Sequence, residues 1–285
     1  FYAGQEKKFA EFILEQNEIR GVANISEKYD SVFIHGVHPT FVPDNNSMLQ
    51  RDIDWQTKLK VFLAFNPTIS TSTIKKGDAP IHMWARQGLI VSNGFVLNAS
   101  DRDAGTVAEG ITERRVQSQF FSKKMTESDI SSAVHGRGAN YNELTVSSPR
   151  IAGFYICREK KDLGLPDLAP ITEIIKECDR LNIPLFEIIN GQVWETELNS
   201  DGTDLIPSKP AAPEDLKSKE YELPEIEREK IEQELLNDSP FNAWPHEAKC
   251  VASRARGREF YLLLNRKRFL EINGKEEDLF DSALE

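Results

Sequence analysis

The sequence predicts an α+β protein, with a central mixed sheet, flanking helices and a small C-terminal domain. Three observations carry this expectation: apolar residues at helical spacing in separate segments, short β-rich runs between them, and a strand–helix–strand succession late in the chain.

In chain order, Gln5–Glu18 places Phe9, Phe12, Ile13 and Leu14 at helical spacing, and Trp55, Leu59, Phe62 and Leu63 repeat the pattern after Asp54, a helix N-cap candidate. Strand character runs through Ser31–His35, Thr68–Ile74, Gly88–Val91, Phe95–Asn98, Glu143–Val146 and Ile151–Cys157. Past a Gly/Pro loop, a helix starting near Pro170 carries Ile171, Ile174, Ile175, Cys178 and Leu181 on one face, and Pro184–Ile189 follows as a strand, so a βαβ unit is expected. Asn190-Gly191 is a hairpin signal leading into Gln192–Glu195. Pro207–Glu222, with Lys-Pro-Ala-Ala-Pro at its centre, has a linker's composition. The expected division is a main domain over 1–200, a linker over 201–222 and a small α/β unit over 223–285, opening with a charged helix from Pro224 to Leu236. In that unit the apolar Phe260–Leu264 is flanked by Arg254, Arg256, Arg258, Arg266, Lys267 and Arg268, a basic cluster suited to an acidic protein partner or, equally, to a solvated face.

At 285 residues, 39% hydrophobic and 28% charged, the chain can bury a sizeable core. Its net charge of -11 repels phosphates and anionic lipid, which argues against nucleic acid as the main partner. The apolar run Tyr261–Leu264 falls far short of the ~20 residues that span a bilayer, so no membrane span is expected. Three cysteines, far apart, predict free thiols in a cytosol-like reducing compartment. Phe1 is not an initiator methionine, which predicts a piece of a longer chain.

Three stretches carry candidate chemistry. The first ends an apolar strand on His35-Gly36, where the glycine would let a ligand approach the backbone; a packed histidine is the plain alternative. Pro67–Ile74 is a hydroxyl-rich strand in which Ser70 and Ser72 share a face, as they also would on an ordinary exposed strand. Third, Gly136–Asn142 is a Gly-rich loop delivering Glu143 to a strand start, with Tyr141 on the same side. A carboxylate there could stabilise a cationic sugar transition state, or simply face water. His35 and His38 lack a third ligand, so no metal is expected.

Taken in order, His35-Gly36, Ser70-Thr71-Ser72 and Tyr141-x-Glu143 resemble the motifs of the mono-ADP-ribosyltransferase family over roughly Ser31–Cys157. The resemblance implies an effector- or toxin-like enzyme, used inside a host cell, that transfers ADP-ribose from NAD to a protein substrate. It implies that His35 contacts the adenosine ribose, that Ser70, Thr71 and Ser72 brace the pocket, and that Glu143 is the catalytic carboxylate. Here the first motif is His-Gly where Ser-Thr-Ser usually accompanies an arginine, and Tyr141 stands where side-chain-modifying members carry Glu or Gln.

A second stretch, Gly94–Ala99 followed by Asp101, Asp103 and Gly105–Ile111, resembles the strand–loop–helix of macrodomains, which bind ADP-ribose and often hydrolyse it. That resemblance implies Asn98, Asp101 and Asp103 around the ribose and backbone N–H groups near Gly105 on the diphosphate. A non-enzymatic adaptor is the third alternative.

Overall fold

The computed structural model describes residues 14–37, 55–65, 69–78, 85–101, 125–136, 142–159, 168–217, 221 and 223–236. Asp103, Gly105, Tyr141 and the basic cluster Arg254, Arg256, Arg258, Arg266, Lys267 and Arg268 lie outside them, as does the small unit beyond residue 236.

Among the described residues, seven strands form one sheet: β1 (Val32–Gly36), β2 (Ile69–Ile74), β3 (Gln87–Ser100), β4 (Glu143–Ile156), β5 (Leu185–Ile189), β6 (Gln192–Leu198) and β7 (Leu205–Pro210). Their order is β2-β1-β3-β4-β5-β6-β7, and β2 also pairs with β4. The antiparallel pairings therefore run in a ring, β1 to β2 to β4 to β3 and back to β1. β4–β5 is parallel, which makes the sheet mixed and the class α+β. The helices are α1 (Val22–Tyr29), α2 (Trp55–Phe65), α3 (Glu127–His135), α4 (Ile171–Arg180) and α5 (Glu225–Leu236), preceded by a helical segment over 14–20.

The ring closes because β3 and β4 bend. Their shared ladder has register shifts between Ile90 and Asn98, and Gly94 sits in this stretch with φ 141°, a backbone that favours glycine. The interruptions at 92–94 and 147–150, expected as gaps between separate strands, are the bends of two continuous ones.

Helices cover one face of the sheet. Trp55, Leu59, Phe62 and Leu63, the apolar stripe of α2, are all buried, and Trp55 packs on Phe154 of β4 with ring centroids 5.4 Å apart. Each such side chain contributes about 1.5–3 kcal/mol through removal from water. On α4, Ile174 and Cys178 are buried, and the helix bridges the parallel β4 and β5 as the βαβ pattern requires. A smaller cluster around Ile34, Ile90, Tyr155 and Phe186 fills the opposite face, under Ala211 and Leu216. Cys157 and Cys178 are buried free thiols, and burial pushes the Cys178 thiol up from its ordinary value.

Where the composition predicts a linker over 201–222, residues 205–210 instead form β7, paired antiparallel with β6. Backbone pairing needs no apolar side chains, and an edge strand tolerates Pro207 and Pro210. The Tyr221 hydroxyl then donates to the Ala152 carbonyl at 2.8 Å, and Leu223 is buried against the main core, so both residues are docked ahead of α5.

The hairpin at Asn190-Gly191 has both residues left-handed (φ 50° and 70°), as a type I′ turn demands. A Cβ on Gly191 would lie 2.1 Å from the Lys75 carbonyl, because the turn after β2 packs there and Gly77 N–H donates to the Asn190 carbonyl at 2.8 Å. Gly191→Ala is expected to lower unfolding stability by about 1–3 kcal/mol, read as a shift of the urea midpoint at constant slope. A second expectation concerns alkaline pH. Burial first, then the neighbouring Cys178, raises Tyr221 from the ordinary value of about 10 to about 12. A raised acid favours its neutral form in the fold, so its contribution is complete below pH ~10 and is lost as pH rises towards ~12. The melting-temperature advantage of the wild type over Tyr221→Phe should hold to about pH 10 and shrink above it.

Candidate functional site

β2 is shared between two partners. Its second half pairs with β1 (Ile34 opposite Ser72, Phe33 opposite Thr73) and its first half with β4 (Ser70 opposite Thr145, Thr71 opposite Leu144). Opposed residues share a face, and faces alternate along a strand. Ser70, Ser72, Thr145 and Glu143 therefore lie on one face, joined by Ser100, which is opposite Glu143 on β3. Thr71, Thr73, Leu144 and Val146 lie on the other face, against the helices.

The hydroxyls differ in what they do. Ser70 is exposed, whereas Thr71, Ser72 and Thr73 are buried. Thr71 Oγ1 donates to the Leu144 carbonyl at 2.7 Å, and Ser72 Oγ donates to the Asn142 carbonyl at 2.8 Å. The side chain of Asn142, fully buried, closes the rest. Its Oδ1 accepts from Thr73 N–H at 2.8 Å, and its Nδ2 donates to Thr73 Oγ1 at 2.6 Å and to the Ala133 carbonyl of α3 at 2.8 Å. The residue immediately before Glu143 is thus held by β2 and α3 together.

His35 stands on the face of Phe33, opposite Leu89, and so across the sheet from Glu143 in register. Its Nδ1–H donates to the Ser70 carbonyl at 2.7 Å, just beyond the point where the described β1–β2 ladder stops. The ring thereby satisfies a carbonyl exposed by the switch of β2 towards β4. Gly36 is packed against β3: a Cβ on its partner Gly88 would lie 2.0 Å from the His35 carbonyl and 2.9 Å from the Gly36 Cα.

Asn98 stands opposite Thr145 in β3, and Asp101 follows the strand's end. Asp101 adjoins Gly136, where a Cβ would lie 2.6 Å from the Asp101 Cβ. The fold thus brings Ser70, Ser72, Glu143, the backbone of Asn98 and Asp101 to the end of the sheet where the Gly-rich loop begins and ends. Asn142 and Thr73 escape a reading by motif. Their signal is alternation: Asn142 is in step with the buried Leu144 and Val146.

Chemically, this end of the sheet presents a carboxylate and hydroxyls on a face backed by a buried hydrogen-bonded layer. Such a set can orient a polyhydroxylated ligand and stabilise a developing positive charge. No family model, curated protein or solved structure matches this chain.

The two classes of hydroxyl should respond differently to removal. Ser70→Ala is expected to leave the melting temperature within about a degree. Thr71→Val, which deletes a buried donor, should cost about 1 kcal/mol in urea unfolding.

Proposed function

We propose that the chain performs ADP-ribose chemistry on a protein substrate, by transfer of ADP-ribose from NAD with Glu143 as the carboxylate at the reacting sugar. The observation that carries this reading is the placement of Glu143: first residue of β4, at the end of the Gly-rich loop, on the face of Ser70, with Ser72 bonded to the carbonyl just before it. The finer fold that goes with it is ADP-ribosyltransferase-like. In this chemistry the bond from the ribose C1′ to the nicotinamide nitrogen breaks, and its electron pair neutralises the pyridinium. The acceptor's lone pair then bonds C1′ and its proton passes to solvent. Glu143 would stabilise the positive charge that develops on the sugar between these events. Ser70 and Thr145, beside it on the face, are suited to ribose hydroxyls.

A second reading, a macrodomain-like hydrolase that removes ADP-ribose from a modified protein, draws on the parallel βαβ unit β4-α4-β5 and on Asp101 beside Gly136. Calorimetric titration of the full chain with NAD and with ADP-ribose, alongside nicotinamide release, separates the two. The transferase reading expects NAD binding with turnover. Glu143→Gln, nearly isosteric, should keep NAD affinity within about threefold and lower turnover by a factor of about 10² or more. Full activity of that variant overturns the assignment. Preference for ADP-ribose, with its release from a modified protein, favours the hydrolase, and binding of neither ligand overturns both enzymatic readings, the outcome a non-enzymatic adaptor would give.

A further inference from the structure

We propose that Asn142 is a positioning residue that fixes where Glu143 stands, and that the Thr73–Asn142–Ser72 cluster sets the turnover of the site through that placement; this rests on the transferase reading of Glu143. The amide occupies the junction of three elements. It closes a two-bond ring with Thr73, through Thr73 N–H to Oδ1 (2.8 Å) and Nδ2 to Thr73 Oγ1 (2.6 Å). Its second N–H reaches the Ala133 carbonyl at 2.8 Å, in the last turn of α3 and three residues before the Gly-rich loop begins at Gly136. Its own carbonyl takes the Ser72 hydroxyl at 2.8 Å. Both ends of the Gly-rich loop are thus tied to one side chain: it holds the Ala133 carbonyl three residues before the loop, and Asn142 itself ends it.

Only an asparagine-like group satisfies this set. It must accept from a backbone N–H and donate twice, once to a carbonyl that can only accept. Because the amide is 0% exposed, no water replaces a lost partner. The next residue is Glu143, whose face is set by alternation from Asn142. A shift of this anchor moves the carboxylate by a similar amount, and a displacement of about 1 Å at a reacting centre costs on the order of 10²-fold in rate.

Asn142→Asp tests this in the full chain, with NAD as substrate and nicotinamide release as readout. It keeps the shape and removes both amide donors, turning a carboxylate oxygen towards the Ala133 carbonyl. The expected result is a fall in kcat of about 100-fold with KM for NAD within about threefold, because binding groups remain while the carboxylate shifts. Ser72→Ala, which removes the single bond to the Asn142 carbonyl, should fold and lower kcat by about tenfold. Thr196→Val serves as the control for simple destabilisation. It deletes a comparable hydroxyl-to-carbonyl bond, Thr196 Oγ1 to Leu185 O at 2.8 Å on β6, and should lower the melting temperature while kcat stays at the wild-type value.

A folded Asn142→Asp variant with wild-type kcat overturns the proposal. Should that variant not fold, Ser72→Ala with wild-type kcat overturns it instead. If kcat is unchanged in these variants while Glu143→Gln abolishes turnover, the reading of Glu143 stands and the positioning role alone is lost. If the wild-type chain neither binds nor cleaves NAD, the transferase reading is overturned and this inference with it.

Discussion

The fold depends on a strand of six residues that must serve two partners. β2 gives Ser72–Ile74 to β1 and Ile69–Thr71 to β4, and that division turns four strands into a ring. Wherever a strand changes partner, backbone groups leave their regular ladder and need others. The hydroxyls of Thr71 and Ser72, the amide of Asn142 and the imidazole of His35 answer that need at the handover. The hydroxyl-rich composition of β2 therefore has a structural cause, independent of any ligand. That cause and a binding role do not compete, because Ser70, at the exposed end, is the hydroxyl left facing outwards.

Much of this was legible in the sequence, for reasons that can be named. Helix α2 follows its apolar stripe, α4 begins at its proline, and the hairpin of β5 and β6 forms on Asn190-Gly191, since each has a local signal strong enough to decide the backbone. Helices α1 and α3 were harder because they bury few residues along polar sequences. Helix α3 is marked chiefly by its capping box, in which Thr126 Oγ1 accepts from Asp129 N–H at 3.3 Å and an Asp129 carboxylate oxygen accepts from Thr126 N–H at 2.8 Å. The site divides in the same way. Simple alternation places Ser70 and Ser72 on one face, whereas Glu143 joins them only through the long-range pairing of Ser70 with Thr145. The side on which His35 falls depends on a long-range pairing with Leu89, which no local pattern encodes. Asn142 reads as one more polar residue in a Gly/Asn loop until its partners, 69 residues away on β2 and nine away on α3, are known.

Charge does further joining at the periphery. The Arg158 guanidinium binds Glu187 of β5 (2.8 Å), Asp204 (3.0 Å) and the Leu205 carbonyl (2.7 Å), so one side chain links the end of β4 to β5 and to the start of β7. Glu187 is nearly buried, and its hydrogen bond is the main reason the Arg158 pKa stands above the ordinary arginine value. A second group, Arg180 with Glu177 and Glu227 and Lys60 near both carboxylates, ties α2, α4 and α5 together. In this acidic chain the described arginines thus act largely as cross-links between elements.

The edge strand β7 carries one more implication. A free sheet edge is a template on which another chain can add a strand, and long uninterrupted edges invite fibrous association. Two of the six residues of β7, Pro207 and Pro210, have no N–H to offer, and Lys209 beside them holds a charge engaged with Glu195 at 2.9 Å. A docking strand would meet a broken row of donors and an ion pair it must displace. The same prolines that give this stretch the look of a connector thus make the outermost strand among the described residues a poor template for self-association.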